Sequence, residues 1–116
     1  MTVVIWHNPR CSKSRQTLEL LRQKGIDPDV REYLRQPPSK AEVEKLIALL
    51  GGEARELIRD GEAEFKKLGK KKADLSNSDI ARAIAEHPIL LQRPIVVSGA
   101  RAAIGRPPEA VLALLK

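Results

Sequence analysis

One cysteine, two histidines and three aromatic residues among 116 are the scarcities that first bound this chain. A lone cysteine, Cys11, cannot form a disulfide within the chain, which fits a reducing, cytoplasmic setting. His7 and His87 with a single thiol offer no metal-ligand spacing, so no metal and no bound cofactor is expected. Trp6, Tyr33 and Phe65 are the only aromatics, so the core must be aliphatic. No apolar stretch approaches the roughly 20 residues that cross a bilayer. The N-terminus also lacks a basic segment followed by an apolar run, so neither a membrane span nor a signal peptide is expected.

What is present is the composition of a globular domain, with 42% hydrophobic and 31% charged residues. The length fits one domain, residues 1–116, large enough to bury about two thirds of its surface. A monomer is expected. The formal charge of +6 raises nucleic acid as a partner. The densest basic run, Lys66-Lys67-Leu68-Gly69-Lys70-Lys71-Lys72, has no interleaved aromatics and no accompanying recognition motif. It reads as a solvated loop, so no nucleic-acid partner is expected. A small anionic substrate is the other use for positive charge.

Residues 2–7 form a continuous apolar run, the mark of a buried strand. Residues 12–24 read as a helix stopped by Gly25, and residues 29–33 as a second strand. A strand, helix and strand so spaced form a βαβ unit with parallel strands. From Leu34 to Leu91 the pattern is helical. Ser39 and Glu42 form a capping box, and Val43, Leu46, Ile47 and Leu50 follow on one helix face. Short helices are expected at 54–60 and 62–68, and a longer one at 76–86 with His87 at its last turn. Ile95-Val96-Val97 turns back through Ser98-Gly99-Ala100 to pair with 102–104, and Pro107-Pro108 opens a final helix. The order resembles a thioredoxin-like α/β fold, a small mixed sheet flanked by helices. A helical insertion of about residues 35–91 separates its second and third strands.

Cys11 lies in His7-Asn8-Pro9-Arg10-Cys11-Ser12-Lys13-Ser14-Arg15, where the first strand turns into the first helix. The commonest role of a free cysteine is a small buried hydrophobe. Here the polar and basic flanks, and the unpaired N–H groups of the helix start, favour the thiolate instead. Cys11 is therefore expected to titrate below the free-thiol value of about 8.5. Thioredoxins and most glutaredoxins place a second cysteine three residues on, to resolve the mixed disulfide. That position is Ser14, so an outside thiol must complete any cycle. A phosphatase loop needs an arginine six residues after its cysteine, and that position is Thr17. Oxyanion-binding arginines must come from elsewhere, with Arg59, Arg93 and Arg106 as the candidates. Arg93 and Arg106 flank the predicted hairpin.

His7-Asn8-Pro9-Arg10-Cys11 with Ser14-Arg15-x-Thr17-Leu18, and Tyr33-Leu34 before a Pro-Pro turn, resembles the glutaredoxin-coupled arsenate reductases (ArsC). So do His87-Pro88-Ile89-Leu90, Arg93-Pro94-Ile95-Val96-Val97 and Arg106-Pro107. The resemblance runs the length of the chain. It implies a thioredoxin-like enzyme whose cysteine attacks arsenate, with glutathione as co-substrate and glutaredoxin as partner, releasing arsenite. It further implies that Arg59, Arg93 and Arg106 bind the oxyanion, that His7, Ser14 and Arg15 support the thiolate, and that Pro94 is cis. Ser12-Lys13 stand where many such enzymes have Gly-Thr, a Cys-Ser-Lys-Ser variant of the turn. Two alternatives accompany this reading. One is a glutathione-dependent reductase of another thiol or oxyanion. The other is a non-enzymatic polymerase-binding protein like the Spx-type regulators, whose Cys-x-x-Cys switch Ser14 removes.

Overall fold

The computed structural model of the chain describes residues 2–52 and 54–115. Cα packing divides the chain into two compact units, one of residues up to Gln36 together with Arg93 onward, the other Pro37–Gln92.

The first unit is built on a four-stranded mixed sheet. Strand β1 (Val3–His7) is central, pairing in parallel with β2 (Asp29–Glu32) and antiparallel with β3 (Ile95–Ser98), which pairs with β4 (Arg101–Ile104). The order is β2-β1-β3-β4. A strand with neighbours on both edges and cover on both faces has no use for alternation, which is why Val-Val-Ile-Trp suits β1. Helix α1 (Ser12–Gln23) links β1 to β2. It ends in a Schellman motif, with Gly25 at φ +79, its N–H on the Arg22 carbonyl and the Ile26 N–H on the Leu21 carbonyl. Ile5 and Val96 on one sheet face pack with Leu21 of α1 and with Val111 and Leu114 near the C-terminus. Fully burying such side chains contributes about 1.5–3 kcal/mol each. On the strand pair β1–β2, Arg31 lies 4.9 Å over the Trp6 ring, covering the largest aromatic. This mixed sheet with its helices is the expected thioredoxin-like fold.

The second unit is helical and stands between β2 and β3 in the chain. Its main helices are α2 (Lys40–Leu49) and α4 (Asn77–Glu86), packed together through Val43, Leu46 and Ile47 on α2 and Ile80 and Ile84 on α4. Both begin in capping boxes, Ser39 with Glu42 and Ser76 with Asp79. His87 is the C-cap of α4, its N–H on the Ala83 carbonyl.

Between and beyond these helices the structure departs from the sequence expectation. Residues 54–60 give only a 3₁₀ turn, Ala54–Leu57, and the 62–68 segment a single α turn, α3 (Ala63–Lys66). Further 3₁₀ segments stand at Lys72–Asp74, at Pro88–Leu90 and, in place of the final helix, at Pro108–Leu115. Arg59 therefore ends no helix. It follows an isolated bridge, Ile58 to Leu91, and its N–H bonds the Leu90 carbonyl at 2.8 Å. Segments of three to eight residues cannot recover the cost of nucleating an α-helix on their own, so they settle into i→i+3 turns or pair with neighbouring backbone.

Candidate active site

The site grows from the C-terminal end of β1. The chain leaves the sheet at His7 and turns through Asn8-Pro9-Arg10. Asn8 holds the turn, its carbonyl accepting the Cys11 N–H and its side-chain Oδ1 the Arg10 N–H, both at 3.0 Å. Cys11 is then the N-cap residue of α1, with extended backbone (φ −92, ψ 123). The N–H groups of Lys13 and Ser14, second and third in the helix, face its sulfur. Cys11 is a free thiol, partly exposed.

The hairpin brings the cations. In the β1–β3 register Trp6 lies opposite Ile95, so continuing toward the Cys11 turn reaches Pro94 and Arg93. In the β3–β4 register Ile95 lies opposite Ile104. The ladder continues one step through Gly105 N–H to Pro94 O at 2.9 Å, and another through Arg106 Nε to Arg93 O at 2.8 Å. Two arginines 13 positions apart are thus delivered to one end of the sheet by strand pairing. Arg106 Nη2 reaches 3.6 Å from Cys11 Sγ, and the Arg93 guanidinium also faces the sulfur. The Arg93–Pro94 and Arg106–Pro107 bonds are both cis. The second of these replaces the helix start expected at Pro107.

Burial alone would push the Cys11 thiol up. The helix N–H groups of Ser14 and Lys13 and the charge of Arg93 outweigh it, holding the thiol below its ordinary value. The arrangement favours an anionic nucleophile beside fixed cations, competent to attack and hold a small oxyanion.

The supporting residues occupy the inner side of the turn. His7, 6% exposed, places Nδ1 2.6 Å from Ser14 Oγ, which also accepts the Asn8 N–H at 3.1 Å. The hydroxyl keeps a second lone pair and its own proton, so the direction of the contact with Nδ1 follows the imidazole tautomer. Burial, more than the nearby Arg22 and Arg15, depresses the histidine pKa, while Glu32 opposes them. Arg15 ties back to the turn, Nη1 on the Pro9 carbonyl at 3.1 Å.

Cys11, Arg93, Arg106, Pro94, His7, Ser14 and Arg15 all belong to the first unit. Arg59 belongs to the second, where its Nε lies 3.5 Å from Glu62 Oε1. Among the described residues, no group of three or more His, Cys, Asp and Glu side chains could hold a metal ion. Among the described residues, no helix is long and apolar enough to cross a membrane.

Two residues with a part in the geometry were not read as site residues from the sequence. Gly105 has no left-handed φ to explain it. A Cβ there would stand 2.6 Å from both Pro94 Cγ and Thr17 Oγ1. The glycine thus permits β4, the proline and α1 to meet. Tyr33, fully buried, has its hydroxyl near Arg93, Asn8 and Cys11. Its place one residue past β2, level with Asn8, was the available signal.

The ArsC family model matches residues 6–114. The arsenate reductase of Haemophilus influenzae is 45% identical over 116 residues, 99% of this chain and 100% of the relative. That of Neisseria meningitidis serogroup A is 45% identical over 97% of each chain. In structure, the chain is similar to the arsenate reductase from Vibrio cholerae, with TM-score 0.91, 48% identity and 97% of each chain covered.

Proposed function

Because this chain belongs to the ArsC family, we propose that it is an arsenate reductase, reducing arsenate to arsenite through the Cys11 thiolate. The observation that carries the reading is a thiol with a depressed pKa at the start of α1 with the Arg106 guanidinium 3.6 Å from its sulfur. Arg93 and Arg106 bind the arsenate oxygens, and Arg59 is the third oxyanion-binding arginine that the family resemblance implies. Attack of sulfur on arsenic forms the S–As bond and releases one oxygen as water, leaving arsenic pentavalent. Reduction then needs two electrons. Cys11 has no partner thiol in the chain. The electrons come from two outside thiols that end as a disulfide, glutathione as co-substrate and glutaredoxin as its partner. Trivalent arsenic leaves as arsenite and Cys11 returns as thiolate.

The neutral His7 and Ser14 keep the turn in shape, so the helix N–H groups stay aimed at the sulfur. Arg15 braces the Pro9 carbonyl on the outer side. The enzyme works as a monomer in the cytoplasm, where the glutathione pool is reducing.

Mass spectrometry of the protein incubated with arsenate alone tests the first step. An arsenic adduct on Cys11 without release of arsenite is expected, with arsenite appearing only when glutathione and glutaredoxin are added. Arsenite released in the absence of any outside thiol would contradict the scheme.

A further inference from the structure

Tyr33 is 0% exposed, yet its hydroxyl oxygen has no hydrogen-bond partner. A buried phenol ordinarily finds one, because stranding the hydroxyl forfeits its bonds to water. Phenylalanine would fill the same space without that cost. The register explains where the hydroxyl stands. Glu32 is the last residue of β2 and lies opposite His7. Tyr33 therefore stands level with Asn8, where β1 gives way to the Cys11 turn. Its neighbours at this end of the sheet are Arg93, Asn8 and Cys11.

These neighbours do not supply what the hydroxyl lacks. A guanidinium has only donors and cannot take the phenol proton. Asn8 Oδ1 receives the Arg10 N–H and keeps a second lone pair, but no Asn8 atom stands in hydrogen-bonding geometry with the phenol oxygen. Burial raises the phenol pKa, so the group is an O–H donor at neutral pH. A donor enclosed beside a thiolate and an arginine, with no protein acceptor, matches an oxygen that arrives with the ligand.

We propose that the Tyr33 hydroxyl is an oxyanion-binding group, donating a hydrogen bond to the deepest oxygen of a tetrahedral anion held at Cys11. The proposal rests on the reading of Cys11 and its arginines as an anion site, and it adds a neutral donor to the cations. A neutral donor contributes direction rather than charge. It orients the anion so that one oxygen points inward and the central atom faces the sulfur.

Tyr33→Phe tests this without requiring turnover. Alkylation of Cys11 by iodoacetamide is followed as arsenate, or in a separate series inorganic phosphate, is raised, giving the concentration that protects the thiol. Thermal melting is recorded on the same samples. For the variant, the protecting concentration should rise about ten-fold or more, as for loss of a hydrogen bond to a charged group. The melting temperature should stay level or increase. An unchanged protecting concentration overturns the proposal. So does a melting temperature that falls in the variant, which would make the hydroxyl structural. Failure of both anions to protect the wild type also overturns it, by removing the bound oxyanion. Protection by arsenate without arsenite formation would instead count against the reductase reading and leave Tyr33 in place.

Discussion

Replacing Gly105 by alanine adds one methyl group where the structure has no room. Its Cβ would stand 2.6 Å from Pro94 Cγ, 2.6 Å from Thr17 Oγ1 and 3.2 Å from Thr17 Cγ2. Ordinary contacts lie near 3.5–4.0 Å, so about 1 Å of movement is required. Neither neighbour yields easily. Pro94 is a ring in the chain, and Thr17 Oγ1 is held by its bond to the Lys13 carbonyl at 2.8 Å. Overpacking of this kind costs about 1–3 kcal/mol. Stiffening the unfolded chain returns about 0.4–1 kcal/mol, because Gly105 has no positive φ that alanine would find strained. The steric effect therefore prevails, leaving a net loss on the order of 1–2 kcal/mol. Unfolding entropy of about 2.1 cal/mol/K per residue over 116 residues converts each kcal/mol into about 4 °C. Thermal melting followed by circular dichroism should thus show a drop of about 4–8 °C. Because Arg106 is the next residue, KM for arsenate should rise in the same variant, measured well below its melting point. A variant that melts at or above the wild-type temperature with unchanged KM would refute the reasoning.

Other outcomes follow from the same geometry. Arg106→Ala should raise KM for arsenate about ten-fold, the loss of one charge-assisted contact, while the exposed position leaves melting unchanged. A normal KM in the variant would remove Arg106 from the site. The depressed pKa of His7 gives a pH dependence of stability. The unfolded chain binds the proton more readily, so stability is full above the unfolded value of about 6.5 and declines as pH falls below it toward the folded value. Melting temperatures from pH 7 to 5 should fall, and His7→Gln should flatten part of that slope. An identical slope in the variant would show that His7 is not the titrating group.

The turn that carries Cys11 was legible because it depends on local rules. A continuous apolar strand, a polar turn and a helix start lie next to one another in the chain, and Gly25 marks the helix end. The βα spacing also settled the parallel pairing of β1 with β2. The convergence of Arg93 and Arg106 was half legible. Their positions flanking a hairpin placed them near each other, but contact with the sulfur depends on the β1–β3 register, which no local pattern encodes. The short helices expected at 54–60 and 62–68 overstated the backbone order, which is a 3₁₀ turn and a single α turn. Turns this short follow from what they pack against, as the pairing of Arg59 N–H with Leu90 O illustrates. Gly105 was opaque because its reason is a contact with Thr17, 88 positions away along the chain by the sequence numbering. Tyr33 read as the end of the second strand and as part of the Tyr33-Leu34 motif, since an unsatisfied hydroxyl leaves no mark in a sequence.

The central claim is that Cys11 reduces arsenate and depends on outside thiols to do so. NADPH oxidation in a mixture of protein, arsenate, glutathione, glutaredoxin and glutathione reductase measures this directly. The account predicts arsenate-dependent NADPH loss that vanishes when glutathione is omitted and when Cys11 is replaced by serine. Equal rates for wild type and Cys11→Ser, or no arsenate dependence in the complete mixture, would contradict it.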